Sequence, residues 1–188
     1  MIPPCHGMQI VKVGPGEHHV TDQPAVAIAT VLGSCVAACI CDPVAGVGGL
    51  NHFMLPESVA GAWGQASASL RYGNFAMERL INDILTRGGQ RARLEIKLFG
   101  GGSLAQDSGR IGERNAQYVE SYLQAEGMVP LVRQLRGTRA RRVIYLAVSG
   151  RAFMQELPDQ TPQVTASEQR FTTALRQLPN HGDIEIFR

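Results

Sequence analysis

The stretch from Cys35 to Leu55 most constrains this chain, because it holds two apolar runs on either side of a tight turn. Cys35 to Cys41 is a run of small and β-branched residues, Asp42-Pro43 initiates a turn, and Val47 to Leu55 is a second run behind Gly46. Runs of this length bounded by turn residues predict a β-hairpin. If Cys41 faces Gly46, Cys35 stands directly opposite His52, and a register two residues away makes the pair diagonal. Opposed residues on one face have β-carbons about 4.5–5.5 Å apart, within reach of a thiol–imidazole contact. A slip of one residue would turn one of the two side chains to the other face.

Gly33 and Ser34 precede the cysteine and permit a backbone corner, where successive N–H groups could point at a developing oxyanion. A thiol paired with an imidazole ionises more readily, and the thiolate is the nucleophile. Gly48 and Gly49, just before His52, leave room for a substrate to approach. Spacing alone leaves other readings open: Cys35 could be a small buried hydrophobe, as most unpaired cysteines are, and His52 a satisfied strand histidine.

The other cysteines are Cys5, Cys39 and Cys41. Cys35, Cys39 and Cys41 share one face of an extended strand, but Cys35 and Cys39 lie roughly 13 Å apart at about 3.3 Å per residue. Zinc holds its sulfurs at about 2.3 Å and cannot join those two across a regular strand, so no metal is expected. Cys39 and Cys41 read as buried apolar residues. The first residues lack the basic region and apolar stretch of a signal peptide, and no apolar run is long enough to span a membrane. A cytoplasmic protein without direct membrane insertion is expected, with its thiols reduced.

With 188 residues, 44% of them hydrophobic, the chain can bury a sizeable core. A formal charge of +2 is too mild to imply nucleic acid. The arginines at 133, 136, 139, 141 and 142 form the one basic cluster and read as a solvated loop, with no aromatic residues interleaved. Strands are predicted at 8–13, 25–31, 93–99, 128–134 and 142–148, and helices at 72–87 and 111–126. The polar Gly/Ala/Ser stretch at 57–69 reads as a loop. Gly100-Gly101-Gly102-Ser103 lacks the Gly-Lys-Ser/Thr of a phosphate loop and reads as a tight loop beside the site. Beyond Gly150 the chain becomes more polar, with a short helix near 167–178 and a last strand at 183–187. The expected fold is mixed α/β (α+β), with β-sheets covered by helices on the outside. Residues 1–150 form a single domain in this reading, and 151–188 an extension packed on it or trailing from it.

Blocks of sequence then carry a family resemblance. Thr30-Val-Leu-Gly-Ser-Cys35, Asp42-Pro43, Gly48-Gly49, His52-Phe-Met-Leu-Pro56, Tyr72-Gly73, Ala76-Met77, Lys97 to Gly102, Ile111 to Asn115, and Gly137 with Arg141-Arg142 resemble the chemoreceptor glutamine deamidase family, CheD. The likeness runs in order from about residue 8 to 150. It implies a sandwich of mixed β-sheets flanked by helices, similar to deamidating-toxin cysteine hydrolases. It also implies a protein-glutamine glutaminase that converts glutamines of methyl-accepting chemoreceptors to glutamates through a thioester, with no cofactor. By the same resemblance Cys35 is the nucleophile and His52 the general base and acid, beside Gly33 and Ser34, which the residues themselves mark as the substrate and oxyanion loop. The family's orienting threonine lies six positions before the cysteine, where this chain has Ala29. Thr30 lies five before, and neighbouring strand residues face opposite ways, so Thr30 can take that role only if the backbone bends there. A CheC-type phosphatase is the further partner implied. Two other readings stand beside the deamidase: a non-catalytic chemotaxis module that binds receptors or a CheC-type phosphatase, and a thiol hydrolase acting on small molecules.

Overall fold

The computed structural model describes residues 5, 7–55, 63–104, 108–157 and 161–177. Two mixed β-sheets are stacked. One has the order β1 (Gln9–Lys12), β3 (Val26–Leu32), β8 (Arg141–Leu146), β9 (Arg151–Glu156). The other has the order β2 (His18–Thr21), β5 (Val47–Asn51), β4 (Val36–Asp42), β6 (Glu95–Gly100), β7 (Val132–Leu135). The β1–β3 and β6–β7 pairs are parallel, and the other pairs are antiparallel. Helices α1 (Trp63–Thr86) and α2 (Ser108–Ala125) pack on the outer face of the five-stranded sheet, and α3 (Thr161–Gln177) follows β9. Among the described residues no helix is long and apolar enough to cross a membrane.

Strand β4 lies at the centre and is buried on both faces, which explains why its sequence is a continuous apolar run without alternation. Val36, Ala38 and Ile40 face Met77, Leu80, Ile81 and Ile84 of α1 and Val119 and Leu123 of α2. Cys35, Ala37, Cys39 and Cys41 face the other sheet and pack with Ile28, Leu32, Val143 and Tyr145. Cys39 and Cys41 are thus buried members of the inter-sheet core, as their sequence suggests.

The hairpin forms with a register different from direct opposition. Asp42 pairs with Val47 and Cys39 with Leu50, and beyond the ladder Val36 bridges Phe53. Cys35 and His52 are therefore diagonal on one face. Asp42 fixes this register by ending the strand. Its Oδ1 accepts the N–H groups of Val44 and Ala45 at 2.9 and 3.0 Å, and Arg93 donates to both carboxylate oxygens. The Arg93 guanidinium holds the Asp42 carboxyl well below its usual range.

The structure corrects several expectations. Helix α1 begins at Trp63, inside the stretch read as a loop, because a small-residue sequence without apolar periodicity still propagates a helix that its later turns anchor in the core. Strands β2 and β9 are additions to the elements read from sequence. Both are edge strands, and β9 is exposed along most of its length, so neither needs an apolar pattern. Helix α3 starts at Thr161, earlier than expected, and the strand anticipated at 183–187 lies outside the described residues. Gly48 and Gly49 make room for protein and not for substrate: a β-carbon on Gly48 would lie 2.7 Å from the Ala147 carbonyl, and one on Gly49 2.5 Å from that of His19. The arginine cluster is not uniformly solvated. Arg136 bridges Glu113 and Glu120 of α2, and Arg141 is buried, donating to the carbonyls of Gln134 and Arg136.

Gly100 shows how tightly the central strands approach each other. Its φ is +107°, and a β-carbon there would lie 2.1 Å from the Cys35 carbonyl oxygen. Gly100→Ala should lower unfolding stability by about 2 kcal/mol or more in denaturant titration, through strain and a displaced Cys35 corner. An unchanged midpoint would contradict this packing.

Candidate active site

The site is built on the corner Gly33-Ser34-Cys35, where the chain leaves β3 in one sheet and enters β4 in the other. All three carbonyls of the corner are tied from behind. Gly102 N–H donates to Gly33 O at 2.7 Å, Asn115 Nδ2 to Ser34 O at 2.9 Å, and Gly101 N–H to Cys35 O at 2.7 Å. With the carbonyls held, the three N–H groups converge on the opposite side. Asn115 also accepts the Leu55 N–H at 2.9 Å, so one buried side chain joins the corner to the segment after His52. The glycine run at 100–102 thus lies beside the site, as expected, and acts by clamping the corner.

His52 leaves β5 with its backbone fixed at both ends, its N–H donating to Glu17 O at 3.0 Å and its carbonyl accepting from Gly16 N–H at 2.7 Å. Its Nδ1 lies 2.8 Å from Thr30 Oγ1, and the Thr30 hydroxyl lies 2.8 Å from the Val13 carbonyl. A carbonyl can only accept, so the single hydroxyl proton goes to Val13 and Thr30 must accept from Nδ1–H. The neutral imidazole therefore carries its lone pair on Nε2, which is buried and makes no hydrogen bond with the described residues. Thr30 faces inward with Ile28 and Leu32 on an unbroken β3 and reaches His52 without the bend expected at its own position.

Glu168 of α3, which nothing in the sequence singles out, fills the corner. Its Oε1 accepts the N–H groups of Gly33 and Cys35, both at 3.0 Å. Its Oε2 accepts the Ser34 N–H at 2.9 Å and the Ser34 hydroxyl at 2.6 Å. Cys35 Sγ, a ring nitrogen of His52 and a Glu168 oxygen all lie within 4.8 Å of one another. Three such groups could in principle hold a metal ion. Here the carboxylate's roughly four lone-pair sites are already taken by the corner's donors, so the trio is arranged around an anion and not a cation. Cys35 is completely covered. Its thiol is pushed well above its ordinary value, first by burial and then by the Glu168 carboxylate. Burial pushes the His52 imidazole below its ordinary value, with Glu168 opposing the shift. A cleft of about 40 Å³ reaches His52 between Glu17, Asn51, Tyr72 and Ala76 and has room for water.

Cys35, His52, Thr30, Gly33 and Ser34, all singled out in the sequence, are thus assembled in one place. Sequence reasoning misses Asn115 and Glu168 as contributors. Asn115 stands in a block that the family resemblance quotes, and no local pattern marks Glu168.

The family model described as "CheD chemotactic sensory transduction" matches residues 54–156, more than half of the chain. The chain belongs to the CheD family. A probable chemoreceptor glutamine deamidase CheD of Rhodopseudomonas palustris (strain BisA53) is 52% identical over 178 residues, covering 94% of this chain and 84% of that protein. Proteins of the same name from Saccharophagus degradans and Acidiphilium cryptum are 45% and 44% identical, each over 94% of this chain and over 84% and 93% of their own lengths. Alignments this long leave too few residues aside to omit either the hairpin or α3.

The depressed His52 imidazole sets a pH dependence. As pH falls through 6.5, an unfolded chain takes up a proton at His52 and the folded chain does not. The unfolded state is therefore favoured below that value, and stability rises with pH by at most about 1.4 kcal/mol per unit there. Urea unfolding between about pH 5 and pH 7 should show a shallower slope for His52→Gln than for the wild type. Identical slopes would mean that His52 takes up its proton over the same pH range in the folded and unfolded states.

Proposed function

We propose that this CheD-family chain hydrolyses the side-chain amide of glutamines in methyl-accepting chemoreceptors to glutamate, with Cys35 as nucleophile and His52 as general base and acid. The observation that carries the mechanism is the convergence of three backbone N–H groups beside Cys35, with the bare Nε2 of His52 on the same side. The substrate class is that named for the relatives.

In this mechanism Nε2 takes the thiol proton and the thiolate attacks the carboxamide carbon. The oxyanion forms among the N–H groups of residues 33–35, which are preorganised because their carbonyls are already bonded elsewhere. The imidazolium returns its proton to the leaving ammonia, and a thioester remains. Water reaching His52 through the cleft gives up a proton to Nε2 and attacks the thioester, releasing glutamate and the Cys35 thiol. Thr30 holds Nδ1–H, so that the same ring nitrogen serves both half-reactions. No step calls for a metal or organic cofactor. Residues 1–150 form the catalytic unit in this reading, with 151–188 as its extension, and the protein acts from the cytoplasm. A CheC-type phosphatase as a second partner rests on the family resemblance alone.

Mass spectrometry of a receptor cytoplasmic fragment tests the proposal. Wild-type protein should add about one dalton at particular glutamines, and Cys35→Ala and His52→Ala should add none. Thr30→Val should lower kcat about 10- to 100-fold, within the contribution of a positioned general base, while Thr30→Ser retains most of it. Binding of the fragment with no mass change would favour the non-catalytic module, and turnover of free glutamine analogues alone would favour a small-molecule hydrolase.

A further inference from the structure

We propose that α3 is a built-in product mimic: Glu168 occupies the place of the substrate's side chain, the groove beneath α3 is the seat of a receptor helix, and turnover requires α3 to leave. The inference rests on the deamidase reading, since only that reaction makes glutamate the product.

A glutamate side chain carried on a helix is what the reaction would leave behind, and Glu168 presents it to the corner with both oxygens fully bonded. Both oxygens lie where a product carboxylate would, among the N–H groups that would hold the oxyanion. Helix α3 docks through one face. Glu168, Phe171 and Thr172 stand at i, i+3 and i+4, with Phe171 packed on the inter-sheet core and Thr172 Oγ1 3.0 Å from Met54 Sδ. Gln169, Arg170, Thr173 and Ala174 face outward and are exposed. The groove therefore accepts a helix that inserts one acid or amide side chain of glutamate length and an aromatic one turn later. With α3 seated, Cys35 has no exposed surface, so a receptor glutamine and Glu168 exclude each other. The carboxylate also keeps the dyad quiet, because its charge opposes loss of the Cys35 proton.

Glu168→Gln turns the mimic into a substrate. Cys35 Sγ would attack the carboxamide carbon of the introduced glutamine, ammonia would leave with the proton from His52, and water would cleave the thioester. The net change is amide plus water to carboxylate plus ammonium, which restores Glu168 and adds about one dalton to its peptide. Purified full-length Glu168→Gln should convert on standing, and the double variant Cys35→Ala/Glu168→Gln should keep its glutamine. In parallel, Glu168→Ala and Phe171→Ala should each raise the rate of Cys35 alkylation by iodoacetamide about tenfold or more, with Phe171→Ala leaving the corner intact. If Glu168→Gln keeps its glutamine and still deamidates receptor fragments, the inference is overturned and the deamidase reading stands. Unchanged alkylation in both single variants would overturn it as well. Self-conversion without action on any receptor fragment would support the seating of α3 and overturn the receptor as substrate.

Discussion

The structure depends on how the backbone at Gly33-Ser34-Cys35 is oriented. A corner between two stacked sheets has three carbonyls and three N–H groups to satisfy without water, and an unpaired buried one costs about 1–3 kcal/mol. Gly101, Gly102 and Asn115 take the carbonyls, which commits the N–H groups to the other side. An anion-accepting nest beside the cysteine follows from this division of partners, much as helix termini and backbone nests attract anions elsewhere. The glycine run, the Asn115 staple and the positive φ of Gly100 all serve the same constraint.

The ring of His52 is set by a second chain of bonds, from Val13 through Thr30 to Nδ1. These residues come from both sheets, so their arrangement is a product of how the sheets stack. The cysteine and the histidine lie on the five-stranded sheet and its continuation, while the threonine lies on the four-stranded one. The Thr30–His52 bond spans the two sheets, so a change in stacking distance would act on it directly.

Much of the site was legible in the sequence because Cys35 and His52 belong to one hairpin, whose strands are marked by β-branched residues and whose turn is marked by Asp42-Pro43. The register differed because Arg93, 51 residues away, makes Asp42 a strand end and not the first turn residue. Strict strand alternation, reckoned from Ala29, counted against Thr30, yet β3 is unbroken and it is Thr30 that faces His52. The edge strands β2 and β9 left no apolar pattern to read. Glu168 was out of reach for a simpler reason. Its donors lie 133–135 residues away, and the helix around it is polar on most of its surface.

The narrow cleft at His52 bears on what becomes of an acyl group on sulfur. A thioester can be cleaved by water or passed to an amine, and cysteine hydrolases and transglutaminating enzymes differ in which acceptor reaches it. Here the approach beside the imidazole is a cleft of about 40 Å³ that admits water. On the proposed deamidase reading, an acyl group on Cys35 would meet water beside the imidazole and give free acid, whereas an isopeptide cross-link would need a lysine held at that place.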